Sequence, residues 1–345
     1  MTSTAVGRRR LTGRRRLPTV TVVTIGLVLI VTLSVAALCV GDPMLSPGDA
    51  LGFVFEHDGS PTAIVVHTLR LPRAVLAIGV GAALAVAGVI MQALTRNPLA
   101  DPGILGVNAG ASFAVALAFV VVGATDFGAT LAFAFAGAAV TSVVVALLGA
   151  VGRTASIARL ALAGVAVGAA LSGFTQALSL IDPQEYSRIR VWEAGSLAAR
   201  GVDTAGVALA VIAVGLLVAF ASARGLNLLI LGEEHAHALG ARVARVRLSG
   251  FVAIVLLCGT ATATVGPVGF IGLMIPHAVR IFSGADQVRA LLYSALAGPV
   301  VVLTADLVAR TVIAPQELPL GVVTAFVGAP VLIALVQRHR ARGAS

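Results

Sequence analysis

Lysine is absent from this sequence, and all 24 basic residues are arginine. A P-loop ATP site needs the lysine of G-x-x-x-x-G-K-[ST], because its ammonium group reaches the phosphates. The chain therefore cannot hold such a site, and it cannot form a lysine Schiff base. If ATP drives this protein, another chain must supply the ATP site.

Charged residues are scarce as well. They make up 11% of the 345 residues, whereas soluble proteins typically carry about 25%. Hydrophobic residues make up 58%, and the mean hydropathy is +1.02. A soluble protein of this size would still need a charged surface, so we predict an all-α polytopic membrane protein. The two cysteines, Cys39 and Cys258, both lie in apolar runs, which argues against a disulfide framework.

Ten apolar runs predict about ten transmembrane helices. They lie at 18–40, 74–94, 103–123, 127–150, 158–181, 204–223, 248–266, 268–284, 288–309 and 318–337. The runs define a transmembrane domain over 18–337, flanked by basic tails at 1–17 and 338–345. The arginines of the first tail also fit a secretory or twin-arginine signal, but nine further spans favour a retained first helix. Around 266–269 a single kinked helix is the alternative to two spans.

The distribution of arginine predicts the orientation. Ten spans place both termini on one side, which carries 18 arginines, while the other side carries six arginines and ten acidic residues. Cytoplasmic loops are enriched in basic residues. We therefore predict a multi-pass protein of the cytoplasmic membrane with both termini in the cytoplasm, and this bias explains the net charge of +9 without nucleic acid.

Five segments carry the most distinctive sequence of the chain. They are RLPRAVLAIGVGAALAVAGVIMQALTRNPLADPGILGVNAGA from Arg70, LNLLILGEEHAHALG from Leu226, GPVGFIGLMIPHAVR from Gly266, ADLVAR from Ala305 and ELPLGVVTAFVGAPVLIALV from Glu317. In this order and spacing they resemble the FecCD/BtuC-type permeases, and the resemblance covers about 70–337. It implies a BtuC-like bundle of the type II ABC importers. Interrupted stretches at 97–106 and 266–276 add an expectation of inverted repeats.

The resemblance implies a function and a set of partners. The function is that of a permease subunit that imports iron(III)-siderophore complexes by alternating access, with haem or cobalamin as the alternatives. The partners are a second permease chain (an identical copy or a sister), two ATP-binding cassette subunits, an extracytoplasmic substrate-binding (lipo)protein and membrane lipid. Iron in a siderophore is already coordinated, so no metal site, cofactor or catalytic residue is expected, and the chain is predicted not to be an enzyme.

The polar stretch 224–247 is the longest on the predicted cytoplasmic side. Its pattern predicts two short amphipathic helices around a turn, with Leu228, Leu229 and Leu231 facing a partner groove. In the resembling family this loop contacts the ATPase. The residues to which coupling is thereby assigned are Leu231, Gly232, Glu233, Glu234, Ala238, Leu239 and Gly240, of which Gly240 is predicted to end a helix. A metal site of Glu234, His235 and His237, or a merely solvated loop, are the alternatives.

The fifth span carries a polar stripe. Ser172, Thr175, Gln176 and Ser179 recur at i, i+3, i+4 and i+7, which is one helix face. Unpaired polar groups are costly in lipid, so these side chains either bridge to another helix or line a translocation pathway. The resembling family uses its fifth helix for the pathway.

The connection after the second span contains two prolines and a glycine. Pro98 and Pro102 should separate the second span from the third. The resemblance assigns a role in the inward gate to Asn97, Pro98, Asp101 and Pro102. A rigid turn without a direct function is the alternative.

Three arginines stand on the predicted outer side, whose surface is otherwise acidic: Arg70, Arg73 and Arg310. Arginine offers a bidentate fork to a carboxylate, and in the resembling family arginines at the matching positions receive glutamates of the binding protein. We therefore expect docking here, with anchoring at the membrane interface as the alternative. Asp306 lies one turn from Arg310, so an i,i+4 ion pair is the expected structural role, and a proton relay is the alternative.

Two other classes of protein fit less well. An ion-coupled secondary transporter needs intramembrane carboxylates or broken-helix ion sites, and Asp306 is the only acidic residue deep in a predicted span. A membrane-embedded enzyme would need a cluster of His, Asp, Glu or Ser at bilayer depth, which the spans lack.

Overall fold

The computed structural model describes residues 18–56, 59–123, 126–150, 157–180, 183–198 and 201–343, and these residues form only helices and their connections. The helices are α1 Thr19–Cys39, α2 Pro47–Phe55, α3 Pro61–Val65, α4 Leu71–Thr95, α5 Val107–Leu117, α6 Phe127–Ala150, α7 Ile157–Ser179, α8 Pro183–Glu193, α9 Val202–Ile230, α10 Glu233–Ala238, α11 Val243–Val265, α12 Ile271–Ser283, α13 Gln287–Thr311 and α14 Leu320–Gly343. A π-helical turn, Val66–Arg70, joins α3 to α4. A 3-10 turn, Pro102–Leu105, precedes α5, and a second π-helical turn, Ala118–Val122, follows it.

Every predicted span corresponds to a helix. Among the described residues, 7 helices are long and apolar enough to cross a membrane, and the shorter apolar helices Val107–Val122, Ile271–Ser283 and Leu320–Ala334 account for the other spans. The chain around Gly266 forms two separate helices, because α11 ends at Val265 and α12 begins at Ile271. The prediction of an all-helical polytopic membrane protein is confirmed.

The second span forms the centre of the bundle. The continuous helix Pro61–Thr95 has 35 residues, and 89% of its most apolar 18-residue stretch is buried. At 1.5 Å per residue it is about 52 Å long, so it extends well beyond the predicted 74–94. Its α4 part packs against α9, α11, α12 and α13, which explains why a single helix can be apolar all round.

Glycine pairs bring α4 into backbone contact with two neighbours. A Cβ added to Gly88 would collide with the carbonyl oxygen of Gly272, and a Cβ on Gly81 would lie 2.5 Å from that of Gly298. Small residues let helices approach closely in a membrane, where packing drives their association. These two crossings therefore fix α12 and α13 against the central helix.

The connection between α4 and α5 turns back into the bundle. Arg96 ends α4 in the left-handed conformation, with φ 50°. A Cβ on Gly272 would lie 2.9 Å from Cδ of Pro102, 3.2 Å from Oδ2 of Asp101 and 3.2 Å from the carbonyl oxygen of Leu84. Leu84 precedes Arg96 by roughly 18 Å of helix. Because α5 starts at this depth, it needs only 11 residues before its π-helical turn.

Candidate functional site

Asp306 is the centre of a charge cluster between α4 and α13. Its side chain is 2% exposed, and Arg73 Nη2 lies 2.9 Å from its Oδ1. On the other oxygen, Arg310 Nη2 lies 2.8 Å from Oδ2. The predicted i,i+4 ion pair with Arg310 is therefore confirmed. The contact between Arg73 and Asp306 was not predicted, because the two residues lie 233 positions apart in the chain.

Arg73 binds a second carboxylate as well. Its Nη1 and Nη2 donate to Oε1 and Oε2 of Glu317 at 3.0 and 2.8 Å, which is the bidentate geometry. Its Nε donates to Oδ1 of Asp306 at 3.0 Å. The Glu317 side chain is 40% exposed. The arginine–carboxylate cluster (Arg73, Asp306, Arg310 and Glu317) thus has a buried half around Asp306 and an exposed half at Glu317.

Arg70 and Arg310 bind the C-terminal end of α1. Arg70 Nη1 donates to the carbonyl of Leu38 at 2.8 Å. Arg310 Nη1 donates to the carbonyls of Ala37 and Val40, each at 3.1 Å. The last carbonyls of a helix lack partners within it, and the helix dipole favours a cation there. The two arginines therefore hold α1 against α4 and α13.

The three predicted docking arginines lie at one end of the bundle, but their side chains differ in exposure to solvent. Arg70 is 5% exposed, and the Arg310 side chain is 7% exposed. Arg73 is 12% exposed and reaches solvent beside Glu317. Docking of a binding protein stays a prediction, and in this conformation Arg73 is the arginine best placed for direct contact.

A cavity lies beside the exposed half of the cluster. Its volume is about 560 Å³, and its wall includes Arg190 of α8, Ser196 and Glu317. The segment after Glu317 is fixed to this wall, because the backbone N–H of Leu320 donates to the carbonyl of Gly195 at 2.9 Å. The cavity was not predictable from the sequence, since α8 is a short polar helix between spans without a recognisable motif.

The predicted pathway residues of α7 do not share one environment. The side chains of Ser172 and Gln176 are exposed. Thr175 is 2% exposed, and its hydroxyl donates to the Leu171 carbonyl at 2.9 Å. This bond satisfies the Thr175 hydroxyl within its own helix. On the predicted face, Thr175 is therefore buried while Ser172 and Gln176 are exposed. The Ser179 side chain lies outside the described part, and a pathway role for the others stays a prediction.

The predicted coupling loop contains one short helix rather than two. Residues 224–230 continue α9, and residues 243–247 already belong to α11. The prediction of two short helices is wrong because the apolar periodicity of α9 runs on to Ile230, where Leu229 is buried at 2% exposure. Only α10, with exposed Leu231 and Leu239 at its two ends (60% and 61%), stands apart from the spans.

Gly240 ends α10, as predicted. Its φ is +79°, and its N–H donates to the carbonyl of His237 at 2.9 Å. The N–H of Ala241 donates to the carbonyl of Ala236 at 2.9 Å. This pair of bonds is the Schellman motif, which favours glycine because it needs a left-handed residue.

Glu233 connects α10 to the rest of the bundle. Its carboxylate pairs with Arg247 of α11 and lies 4.0 Å from Arg96, where α4 ends. Glu234, Ala238 and Gly232 complete the predicted coupling set around the same short helix. Among the described residues no group of three His, Cys, Asp or Glu is placed to hold a metal ion.

The predicted gate residues form a rigid turn. Asn97 Oδ1 accepts from the N–H of Leu99 at 2.9 Å, and Asp101 Oδ1 accepts from the N–H of Gly103 at 2.8 Å. Pro98 and Pro102 do separate the second span from the third. Asp101 reaches the depth of Leu84. It lies in the connection between two predicted spans, so a prediction that considered the spans alone did not include it. A gate role for this turn stays a prediction.

The chain is similar to proteins of a known transport family. The model of the FecCD transport family matches residues 27–338. The chain is 46% identical over 321 residues to the ferric enterobactin transport system permease protein FepD of Escherichia coli (strain K12), covering 92% of this chain and 96% of that protein. It is 38% identical to the Fe(3+)-citrate import system permease protein YfmD of Bacillus subtilis (strain 168), covering 88% and 90%.

A haem-related permease and a solved structure are also similar. The chain is 40% identical to the hemin transport system permease protein HmuU of Yersinia pestis, covering 79% of this chain and 83% of that one. A solved structure described as an inward-facing metal-chelate type ABC transporter superposes with a TM-score of 0.82 at 28% identity, covering 92% and 99%. The fold and these matches define a multi-pass membrane transport protein. The chain belongs to the FecCD transport family.

Proposed function

We propose that this chain is the membrane-spanning permease subunit of an ABC importer for iron(III)-siderophore complexes. The observation that carries the proposal is the 46% identity to the ferric enterobactin permease FepD, which extends over 92% of this chain and 96% of that protein. The Fe(3+)-citrate permease YfmD and the hemin permease HmuU are 38% and 40% identical to this chain. A siderophore is therefore the favoured chelate, and ferric citrate and haem are the alternatives.

The ATPase is proposed to be a separate subunit that contacts α10. The sequence has no lysine, so it cannot contain a P-loop. α10 lies beside Arg96, at the opposite end of α4 from the arginine–carboxylate cluster. The exposed Leu231 and Leu239 flank it and supply apolar surface for a partner groove. Two ATPase subunits would act on two permease chains.

The second permease chain is proposed to cover α7. Only 11% of the most apolar 18-residue stretch of this helix is buried within the chain. The exposed side chains of Ser172 and Gln176 are polar, and polar groups are poorly suited to face lipid. A pathway between two such helices would place these polar groups along the substrate's route. The arrangement fits either an identical copy or a sister permease.

The end of the bundle with the arginine–carboxylate cluster is proposed to face the binding protein outside the cell. The arginine asymmetry of the loops supports this orientation, with both termini in the cytoplasm. Arg73, already bound to two carboxylates, is the proposed direct contact for a partner glutamate. Arg70 and Arg310 support it by fixing α1 beside it.

The test is uptake by cells that lack their own ferric enterobactin permease. The chain is expressed with the ATPase and binding protein that co-purify with it, and uptake of radioactive iron is measured from ferric enterobactin, ferric citrate and haemin. The proposal predicts preferential uptake from the ferric siderophore, and its loss when the ATPase subunit is omitted. Preferential uptake from haemin or ferric citrate would replace the proposed substrate.

A further inference from the structure

We propose that Glu317 is an internal substitute for a carboxylate of the binding protein. It occupies the outer edge of Arg73 in the free permease and gives up this position when the partner docks. The inference rests on the proposed function, because it takes docking at Arg73 as its premise.

The two carboxylates on Arg73 are held very differently. Asp306 is 2% exposed and also pairs with Arg310 at 2.8 Å, so it cannot leave without exposing two guanidinium groups to an apolar interior. Glu317 is 40% exposed. Within the described residues, Arg73 is the hydrogen-bonding partner of its carboxylate. One carboxylate is therefore fixed and the other is exchangeable.

The geometry of the exchangeable pair matches what an incoming carboxylate requires. Arg73 presents Nη1 and Nη2 to both oxygens of Glu317 at 3.0 and 2.8 Å. A guanidinium group that presents two N–H groups in this way can donate to both oxygens of any carboxylate in the same plane. Solvent screens an exposed ion pair, so releasing it costs little, whereas the partner's carboxylate would be shielded from water in the docked complex.

The exchange also reaches the cavity beside the cluster. Glu317 forms part of the wall of this cavity of about 560 Å³, together with Arg190 and Ser196. Three residues further on, the backbone N–H of Leu320 donates to the carbonyl of Gly195, which lies between the lining residues Ala194 and Ser196. Movement of Glu317 off Arg73 therefore changes the position of a charge at the cavity rim when the binding protein arrives. Docking and the shape of the cavity rim are thereby linked through one short segment.

The experiment compares two substitutions that remove the same charge. Glu317→Gln removes the carboxylate that competes for Arg73. Glu56→Gln is the matched control, because Glu56 is exposed after α2 and has no side-chain bond among the described residues. Affinity is measured between the permease in nanodiscs and the substrate-binding protein that co-purifies with it. Each variant is also made in an Arg73→Gln background, where Arg310 still neutralises Asp306.

The proposal predicts that Glu317→Gln tightens binding about two- to fivefold at low salt, the range expected for one exposed ion pair, while Glu56→Gln has a smaller effect. Arg73→Gln should weaken binding and abolish the effect of Glu317→Gln. If Arg73→Gln weakens binding but Glu317→Gln behaves like Glu56→Gln, the inference about Glu317 fails and docking at Arg73 stands. If Arg73→Gln leaves binding unchanged, both fail.

A second measurement needs no partner. The rate at which p-hydroxyphenylglyoxal modifies Arg73 is followed by mass spectrometry of the intact permease. Glu317→Gln should increase this rate, and Glu56→Gln should leave it at the wild-type value. An unchanged rate in Glu317→Gln would show that Glu317 does not control access to Arg73.

Discussion

At the scale of single residues, the buried carboxylate of Asp306 joins three helices. It pairs with Arg73 of α4 and Arg310 of α13, and Arg310 in turn binds the end of α1. A buried ion pair adds little over an apolar contact, but removing one partner leaves a buried charge uncompensated. Asp306 therefore has a structural role in this account, which argues against the alternative of a proton relay.

Replacing Asp306 by Asn should destabilise the purified permease by about 3–5 kcal/mol, because two guanidinium groups lose their shared counter-ion. The measurement is unfolding in detergent followed by circular dichroism. Glu317→Gln serves as the control, since its exposed pair should change stability by only about 0.2–1 kcal/mol. Equal destabilisation by the two substitutions would contradict the distinction between a buried and an exposed half of the cluster.

Contacts between residues one helical turn apart were predictable from the sequence, and contacts between distant residues were not. The Asp306–Arg310 pair follows from i,i+4 spacing alone. The contacts of Arg73 with Asp306 and Glu317 join residues 233 and 244 positions apart, and a single sequence carries no signal for such pairs. Spacing placed Thr175 on one face of α7 with Ser172 and Gln176, but spacing does not say which residues of that face are buried.

At the scale of helices, glycine decides how closely the elements approach. Gly88 meets Gly272 backbone to backbone at the crossing of α4 and α12, and Gly240 ends α10 in a conformation with φ +79°. The first glycine is needed for space and the second for backbone conformation. The two can be separated by different substitutions.

Gly88→Ala should destabilise the permease by about 1–3 kcal/mol, because the added methyl group overpacks the contact with Gly272. Gly206→Ala is the control, since a Cβ on Gly206 of α9 meets nothing within 4 Å. The temperature at which each variant loses its monodisperse elution profile in detergent gives the comparison. A Gly88→Ala variant as stable as Gly206→Ala would mean that α4 and α12 do not cross as described.

Gly240→Val should leave membrane insertion intact but uncouple ATP hydrolysis from uptake, because a β-branched residue resists the left-handed conformation that closes α10. A Cβ here meets nothing within 4 Å, so the effect would come from the backbone alone. Gly240→Asn is the matched control, since asparagine tolerates this conformation. Normal uptake and normal ATPase stimulation in Gly240→Val would exclude α10 as the coupling element.

The helices themselves were predictable, and their ends and depths were less so. Runs of about 20 apolar residues mark spans reliably because lipid tolerates little else. Pro98 and Pro102 correctly predicted a break after α4. They did not predict that the chain would turn back to the depth of Leu84, since that return depends on the space left beside Gly272. The extension of α9 to Ile230 was missed because Arg224 interrupts the continuous apolar run, although the apolar periodicity goes on beyond it.

At the scale of the whole molecule, α10 and the arginine–carboxylate cluster lie at opposite ends of α4. An ATPase on one side of the membrane and a binding protein on the other would use these two ends. The structure fixes their separation along α4, and the arginine asymmetry supplies the proposed direction.

Single cysteines test that direction, in a background where Cys39 and Cys258 are replaced. A cysteine at Asp203, exposed at the start of α9, should react with an impermeant thiol reagent in intact cells. A cysteine at Glu234 of α10 should react only after the cells are permeabilised. Labelling of position 234 from outside would reverse the orientation and with it the assignment of the two partners.

The central claim is that ATP hydrolysed by another chain drives chelate import through this one. The most direct measurement reconstitutes the permease, its ATPase subunit and its binding protein in proteoliposomes and follows ferric enterobactin into the lumen. The account predicts uptake with ATP, no uptake when the ATPase subunit is omitted, and none with a proton or sodium gradient alone. Uptake driven by an ion gradient without ATP would contradict the account and identify a secondary transporter.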